Sequence, residues 1–202
     1  MFPNEKKYLP NYLIAMQKNP DKKIFFGGYS YSKQYSGKGR LRFRYGIKRE
    51  FKSALKREIK PYRNVYSGNM LIHRETFELI NIPLENVYGL DLAFSGQLEF
   101  HKIPFKHIDN YTCHRDIDDN NTFLLKSKEA SITIRNLYDQ GLINPKQSKL
   151  IWAYILIKKL HLIKIVKLKG RLLSPLIYWM LNNFRAPLIT LDFYKLYHFC
   201  KK

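Results

Sequence analysis

Tyr66-Ser67-Gly68-Asn69-Met70-Leu71-Ile72-His73-Arg74 is the stretch on which the fold turns. Met70, Leu71 and Ile72 form an apolar run entered through Ser67-Gly68-Asn69, so Tyr66 to Ile72 reads as a strand. Arg74 to Ile80 then has the spacing of a short helix. Upstream, Tyr8, Leu9, Tyr12, Leu13 and Met16 recur at helical spacing until Asn19-Pro20-Asp21 breaks the pattern. Lys23-Ile24-Phe25-Phe26, ended by Gly27-Gly28, is a second strand candidate. A helix feeding a strand suits an interior piece of an α/β domain, because that strand needs neighbours to pair with.

Downstream, Leu92, Phe94, Leu98 and Phe100 predict a helix, with Asp91 as the natural cap before it. Phe105 to Ile108 reads as a short strand, and polar residues follow up to Asn121. Phe123 to Tyr138 predicts a helix, with Asn120 or Asn121 as its cap and Gly141 beyond its end. Ile47 to Lys60 predicts a basic helix closed by Pro61, after a loop at Ser36, Gly37 and Gly39. Lys33 to Arg63 holds twelve Lys or Arg against two Glu, most simply a solvated charge run.

The chain has 202 residues and a net charge of +20, from 36 Lys and Arg against 16 Asp and Glu. This excess calls for an anionic partner: nucleic acid, an anionic membrane face or a phosphorylated substrate. Cys113 and Cys200 form neither a C-x-x-C pair nor a disulfide framework, so a reducing compartment is expected. No uncharged apolar stretch is long enough to span a bilayer. From Gln140 to Leu191 there is no acidic residue and there are nine Lys or Arg. Within that segment, Leu150 to Lys169 mixes apolar residues with lysines in the manner of a helix lying on an anionic membrane.

Chemistry-bearing residues cluster in order: Gly68-Asn69 to Arg74, then Tyr88-Gly89-Leu90-Asp91, then His107-Ile108-Asp109-Asn110, then His114. This succession resembles the second half of family 2 glycosyltransferases of the GT-A fold. There, a strand carrying G-N-x-L-I-x-R is followed by a Y-G-x-E-D turn at a helix start and a strand ending in a lone histidine. His107 to Asn110, His114, Asn120-Asn121, Phe123-Leu124 and Lys126 are similar to a subgroup associated with Bacteroidetes. So is the tail from Pro187 to Leu196.

The resemblance implies a Rossmann-like domain with a mixed sheet. Residues 1–144 would be its acceptor half and 145–202 a basic helical extension. Met1-Phe2-Pro3-Asn4 resembles the segment after the family's metal-binding D-x-D, so an N-terminally truncated domain is expected, without the nucleotide-binding half. The implied activity is inverting transfer of a sugar from a nucleotide-diphosphate donor to a hydroxyl of a glycan or lipid-linked acceptor. It serves polysaccharide or glycoconjugate assembly. Asp91 matches the base that deprotonates the acceptor, while Leu90 stands where the family has Glu. His114 matches a histidine that helps hold a divalent metal, Mn²⁺ or Mg²⁺, and the diphosphate. Gly27, Gly28, Gly68, Asn69, Arg74, Tyr88 and Gly89 match positions around the donor and acceptor. A cytoplasmic place follows, with peripheral contact at the inner face of the membrane. The alternative is a non-catalytic basic protein that binds membrane or nucleic acid, although no nucleic-acid module is recognisable.

Overall fold

A single strand, Ile24–Phe26, sits at the centre of the only sheet of three strands among the described residues, and every side chain in it is buried. The computed structural model describes residues 5–32, 35, 37–81 and 88–201, with backbone alone at 5 and 6. The Met1-Phe2-Pro3-Asn4 segment and Ser36 of the expected loop lie outside them. In chain order the elements are α1 (Glu5–Lys18), β1 (Ile24–Phe26), β2 (Tyr29–Tyr31), α2 (Arg40–Tyr45), α3 (Ala54–Glu58), β3 (Met70–Ile72) and α4 (Arg74–Ile80). There follow α5 (Leu90–Phe100), β4 (Phe105–His107), β5 (Thr112–His114), α6 (Asn120–Asp139), α7 (Lys149–Lys159), α8 (Ile163–Asn183) and α9 (Leu188–Lys201). A π-helical turn occupies Gly46–Glu50. The result is mixed α/β, with a small mixed sheet and a helical C-terminal part.

Contacts divide the chain into two units. The first comprises Met1–Tyr35, Phe43–Pro83 and Phe94–Ile117, and the second Ser36–Arg42, Leu84–Ala93 and Asp118–Lys202. The late division thus falls before α6, not near residue 145: α6 packs on α9 and belongs with the C-terminal helices.

In the first unit β1 pairs antiparallel with β3, Phe26 opposite Met70, and parallel with β4, Phe26 opposite His107. One face of this sheet buries Ile24 and Phe26 against Val65, Ile80 and Leu98. The other buries Phe25 against Tyr12 and Ala15 of α1. The period-two alternation of Ile24, Phe25 and Phe26 thus feeds two separate apolar clusters, which is why all three are apolar. β2 and β5 form a second parallel pair, and β5 comes from the polar stretch after Ile108 that carries no strand pattern.

In the second unit α6, α7 and α8 surround α9. Leu124, Ile151, Leu181, Leu191 and Phe199 are completely enclosed. Asp119, rather than Asn120 or Asn121, caps α6, accepting from the Thr122 amide at 2.8 Å. Asn120 instead bridges the Leu41 amide and the Asn182 carbonyl, both at 2.9 Å.

Two expected helices are divided differently. The run from Ile47 to Lys60 breaks at Phe51, whose backbone is extended, and restarts where Ser53 caps α3 through the Lys56 amide. The run from Leu150 to Lys169 breaks at Leu160–Leu162, around a left-handed His161, and α8 then passes through Gly170 and Pro175. Gly170 does not interrupt the helix; it is glycine because α9 needs the space, and a Cβ there would overlap the Tyr197 ring. Pro175 is exposed, so water can reach the carbonyl its missing N–H leaves unbonded. Gly170→Ala, although favourable for helix propensity, is expected to destabilise the protein by about 1–3 kcal/mol through overpacking. Urea denaturation checks this, and no loss of stability would contradict the close α8–α9 approach.

Candidate functional site

Gly27 and Gly28 separate β1 from β2, whereas Ile108 to Tyr111 separate β4 from β5. Two parallel strands with unequal insertions cannot keep one ladder, so the pairing is interrupted and restarts in a new register. The carbonyls at the interruption are each served twice. Phe26 O accepts from the Ile108 amide at 3.0 Å and from Arg57 Nη1 at 2.9 Å. Gly27 O accepts from the Asn110 amide and Arg57 Nη2, both at 3.3 Å. Gly28 O accepts from the Thr112 amide at 3.2 Å and Asn69 Nδ2 at 2.6 Å.

Asn69 uses its whole hydrogen-bonding capacity here. Its Oδ1 accepts from Tyr8 Oη at 2.6 Å and Tyr12 Oη at 2.8 Å, and its Nδ2 also donates to Asn110 O at 2.9 Å. Gly27 is required by proximity, because a Cβ would overlap Asn110 O and the Asn69 amide. Gly28 is required twice over, by a φ of +81° and by the Arg57 guanidinium, which would lie 2.9 Å from a Cβ. Gly27, Gly28 and Asn69 thus come together as a rigid junction.

Arg57, one of the twelve cations of the basic run, is fully buried. Besides the carbonyls above it donates to Ile108 O at 2.7 Å and to Lys52 O at 3.3 Å. Its Nη1 also donates to His107 Nδ1 at 3.1 Å, which places the imidazole proton on Nε2, facing Pro61 O at 3.2 Å. Burial, and then the adjacent guanidinium, push His107 down to about 4, so it is neutral at pH 7. Burial also lowers Arg57 from its ordinary value, opposed by Tyr111 and Asp109. Asp109 Oδ1 accepts from the Ala54 amide at 2.6 Å and from Tyr111 Oη at 2.5 Å, and lies 3.9 Å from Arg57 Nη2. Burial and the Asp109 bond raise Tyr111 to about 12. Asn110 ties the junction to α1, accepting from Asn11 Nδ2 at 3.1 Å and donating to Tyr8 O at 3.0 Å. Each residue of the His107–Asn110 motif therefore has a structural bond.

The rim of this junction is aromatic. The His114 ring stacks on Tyr31 at 5.8 Å and meets the edge of Tyr29 at 5.7 Å. Tyr29 packs on Tyr66 at 5.1 Å, and the Tyr29 hydroxyl occupies the space a Cβ on Gly68 would need. Tyr31 Oη donates to Glu50 Oε2. His114 and Gly68 thus share one surface through Tyr29, beside the junction. Arg74 stands apart, exposed at the start of α4 and ion-paired with Glu78 at 2.8 Å.

Tyr88, Gly89 and Asp91 belong to the second unit. Gly89 adopts φ +103° immediately before α5, which starts at Leu90, two residues earlier than expected. Asp91 is therefore inside the first turn and exposed, where the helix dipole favours a carboxylate. The Tyr88 amide meets Glu129 Oε1 at 3.4 Å, and Lys126 lies over its ring at 5.1 Å. Lys126 also pairs with Asp118 at 2.8 Å.

Among the described residues no three His, Cys, Asp or Glu side chains converge as a metal site. His114 offers one imidazole between tyrosine rings, so these residues do not by themselves fit a divalent metal, and no chemical step is derived through one. Comparison with protein-family models, with curated proteins and with solved structures yields no match to this chain.

Arg57 carries no local signal that separates it from its exposed neighbours: α3 has only five residues. Arg57→Lys is expected to cost at least about 2 kcal/mol, since one ammonium cannot serve carbonyls on several sides. Chemical denaturation measures it, and a neutral result would contradict the buried network. The pH dependence follows from His107. Its folded value, about 4, lies below its ordinary 6.5, so the unfolded chain binds the proton more readily. Its contribution is complete above about pH 6.5 and is lost as pH falls through about 4, on the order of 3 kcal/mol. The thermal midpoint should fall across this window, and less steeply in His107→Gln.

Proposed function

We propose that the chain forms the acceptor-side part of an inverting glycosyltransferase of the family 2 type, with a GT-A fold. The observation that supports this most is the meeting of Gly27, Gly28 and Asn69 at the carboxyl end of the parallel pair β1 and β4. Ligand crevices of open α/β sheets lie outside the carboxyl ends of parallel strands. The junction offers such a ligand a stiff wall, because its polar groups already have partners. On this reading the substrates are a nucleotide-diphosphate sugar and a glycan or lipid-linked hydroxyl.

Transfer is a direct displacement. Asp91 accepts the proton of the acceptor hydroxyl as its oxygen attacks the anomeric carbon, and the bond to the nucleoside diphosphate breaks. Asp91 stands in the first turn of α5, exposed to solvent. Tyr88 and Gly89, the latter at φ +103°, directly precede the turn that carries it.

The test is release of nucleoside diphosphate from a panel of nucleotide sugars, with Mn²⁺, by the protein extended through any sequence encoded upstream of Met1. Asp91→Asn should lower turnover by about 10²–10⁴-fold with an unchanged circular dichroism spectrum. Unchanged turnover refutes the base assignment, and salt-dependent oligonucleotide binding without nucleotide-sugar binding refutes the whole reading.

A further inference from the structure

Helix α8 is apolar on two opposite sides. One side carries Gly170 and Leu181, both buried, with Gly170 against the Tyr197 ring of α9. The other carries Ile165, Leu168, Leu172, Leu176 and Trp179, whose exposures run from 48% to 70%. Their spacing of three and four residues puts all five on one stripe of the helix, facing away from the buried one. At its C-terminal end the stripe gains Phe184, itself exposed, whose ring lies 4.7 Å from that of Trp179. A stripe of this length on an outward face is far more than scattered surface hydrophobicity.

Charge identifies the occupant. Lys164 and Arg171 fall on one shoulder of the stripe and Lys169 on the other, all exposed. The sequence from Gln140 to Leu191 holds no acidic residue. A second copy docked symmetrically on this stripe would set these cations against their own images, which opposes self-association. Nucleic acid would meet the cations but leave the leucines in water. An anionic bilayer satisfies both, with leucines at the acyl boundary and lysine stems reaching up to phosphate. Both tryptophans of the chain, Trp152 on α7 and Trp179 on α8, are more than half exposed, and tryptophan favours this boundary. Among the described residues no helix is long and apolar enough to cross a membrane.

We propose that the outward stripe of α8, from Ile165 to Phe184, is a monotopic binding face for an anionic lipid surface. The helix lies in the interface, with α9 behind it. The proposal is independent of the glycosyltransferase reading and survives its failure.

The experiment is co-sedimentation of the full chain with phosphatidylcholine vesicles, with and without about 30 mol % phosphatidylglycerol, read together with tryptophan fluorescence. Binding to the anionic vesicles with a blue-shifted emission is expected, and much weaker binding to the neutral ones. Leu168→Ser with Leu172→Ser should weaken binding at least about tenfold at an unchanged thermal midpoint. Lys164→Glu with Arg171→Glu should abolish the preference for anionic lipid. Failure to bind anionic vesicles overturns the proposal. So does binding that the leucine pair leaves intact, or a dimer in analytical ultracentrifugation that the leucine pair dissolves.

Discussion

Where β1 runs into β2, the parallel ladder with β4 and β5 loses register, and successive carbonyls are left at the interruption. A charged guanidinium, buried completely, is what holds them. Burying a cation is costly unless each of its donors finds an acceptor, and Arg57 meets that condition with the carbonyls of Phe26, Gly27, Ile108 and Lys52 and the ring of His107. The rest of the first unit is arranged around this condition. Gly28 must be glycine to leave room, His107 must be neutral to accept, and Ser53 must start α3 where it does so that Arg57 arrives at the junction. Asn69, just before β3, does what Arg57 does from α3, and brings α1 with it through Tyr8 and Tyr12.

This has a consequence for chemistry. Groups that look reactive in the sequence, Asn69 and the His107–Asn110 motif, are spent on geometry. Beside this junction the first unit carries an aromatic rim, the rings of Tyr29, Tyr31 and His114. A wall whose hydrogen bonds are all internal moves little, and positioning of a substrate depends on such rigidity.

The second unit follows a different rule. Its core is a set of helices around α9, and Gly170 brings the α8 backbone against the Tyr197 ring. Cations help to seal it, with Arg135 over the ring of Tyr154 at 4.4 Å and Lys195 over Phe123 at 5.8 Å. Cations of this chain thus serve quite different ends, among them a buried junction, ring faces in the helical unit, and the shoulders of an exposed apolar stripe. Net charge alone cannot distinguish them.

Local pattern determined the elements that depend on local forces. Arg74–Ile80 is a helix over the residues its spacing indicates, Ile24–Phe26 a strand, and α1 ends at Asn19-Pro20 because proline and its neighbour leave the helical region. Gly27 and Gly28 were legible as a strand end, although their reasons, a carbonyl on one side and a guanidinium on the other, were not. Tertiary structure alone decided the rest. β5 has no apolar alternation and exists because β2 offers it a ladder. Arg57 carries no local mark of burial in the sequence, and only strands and turns brought from residues 26, 27, 107 and 108 make its burial favourable. Glycine at position 170 of α8 answers to the packing of α9, which periodicity cannot see. Periodicity reports which side of a helix is apolar; whether a second element covers that side is settled by contacts far apart in the chain.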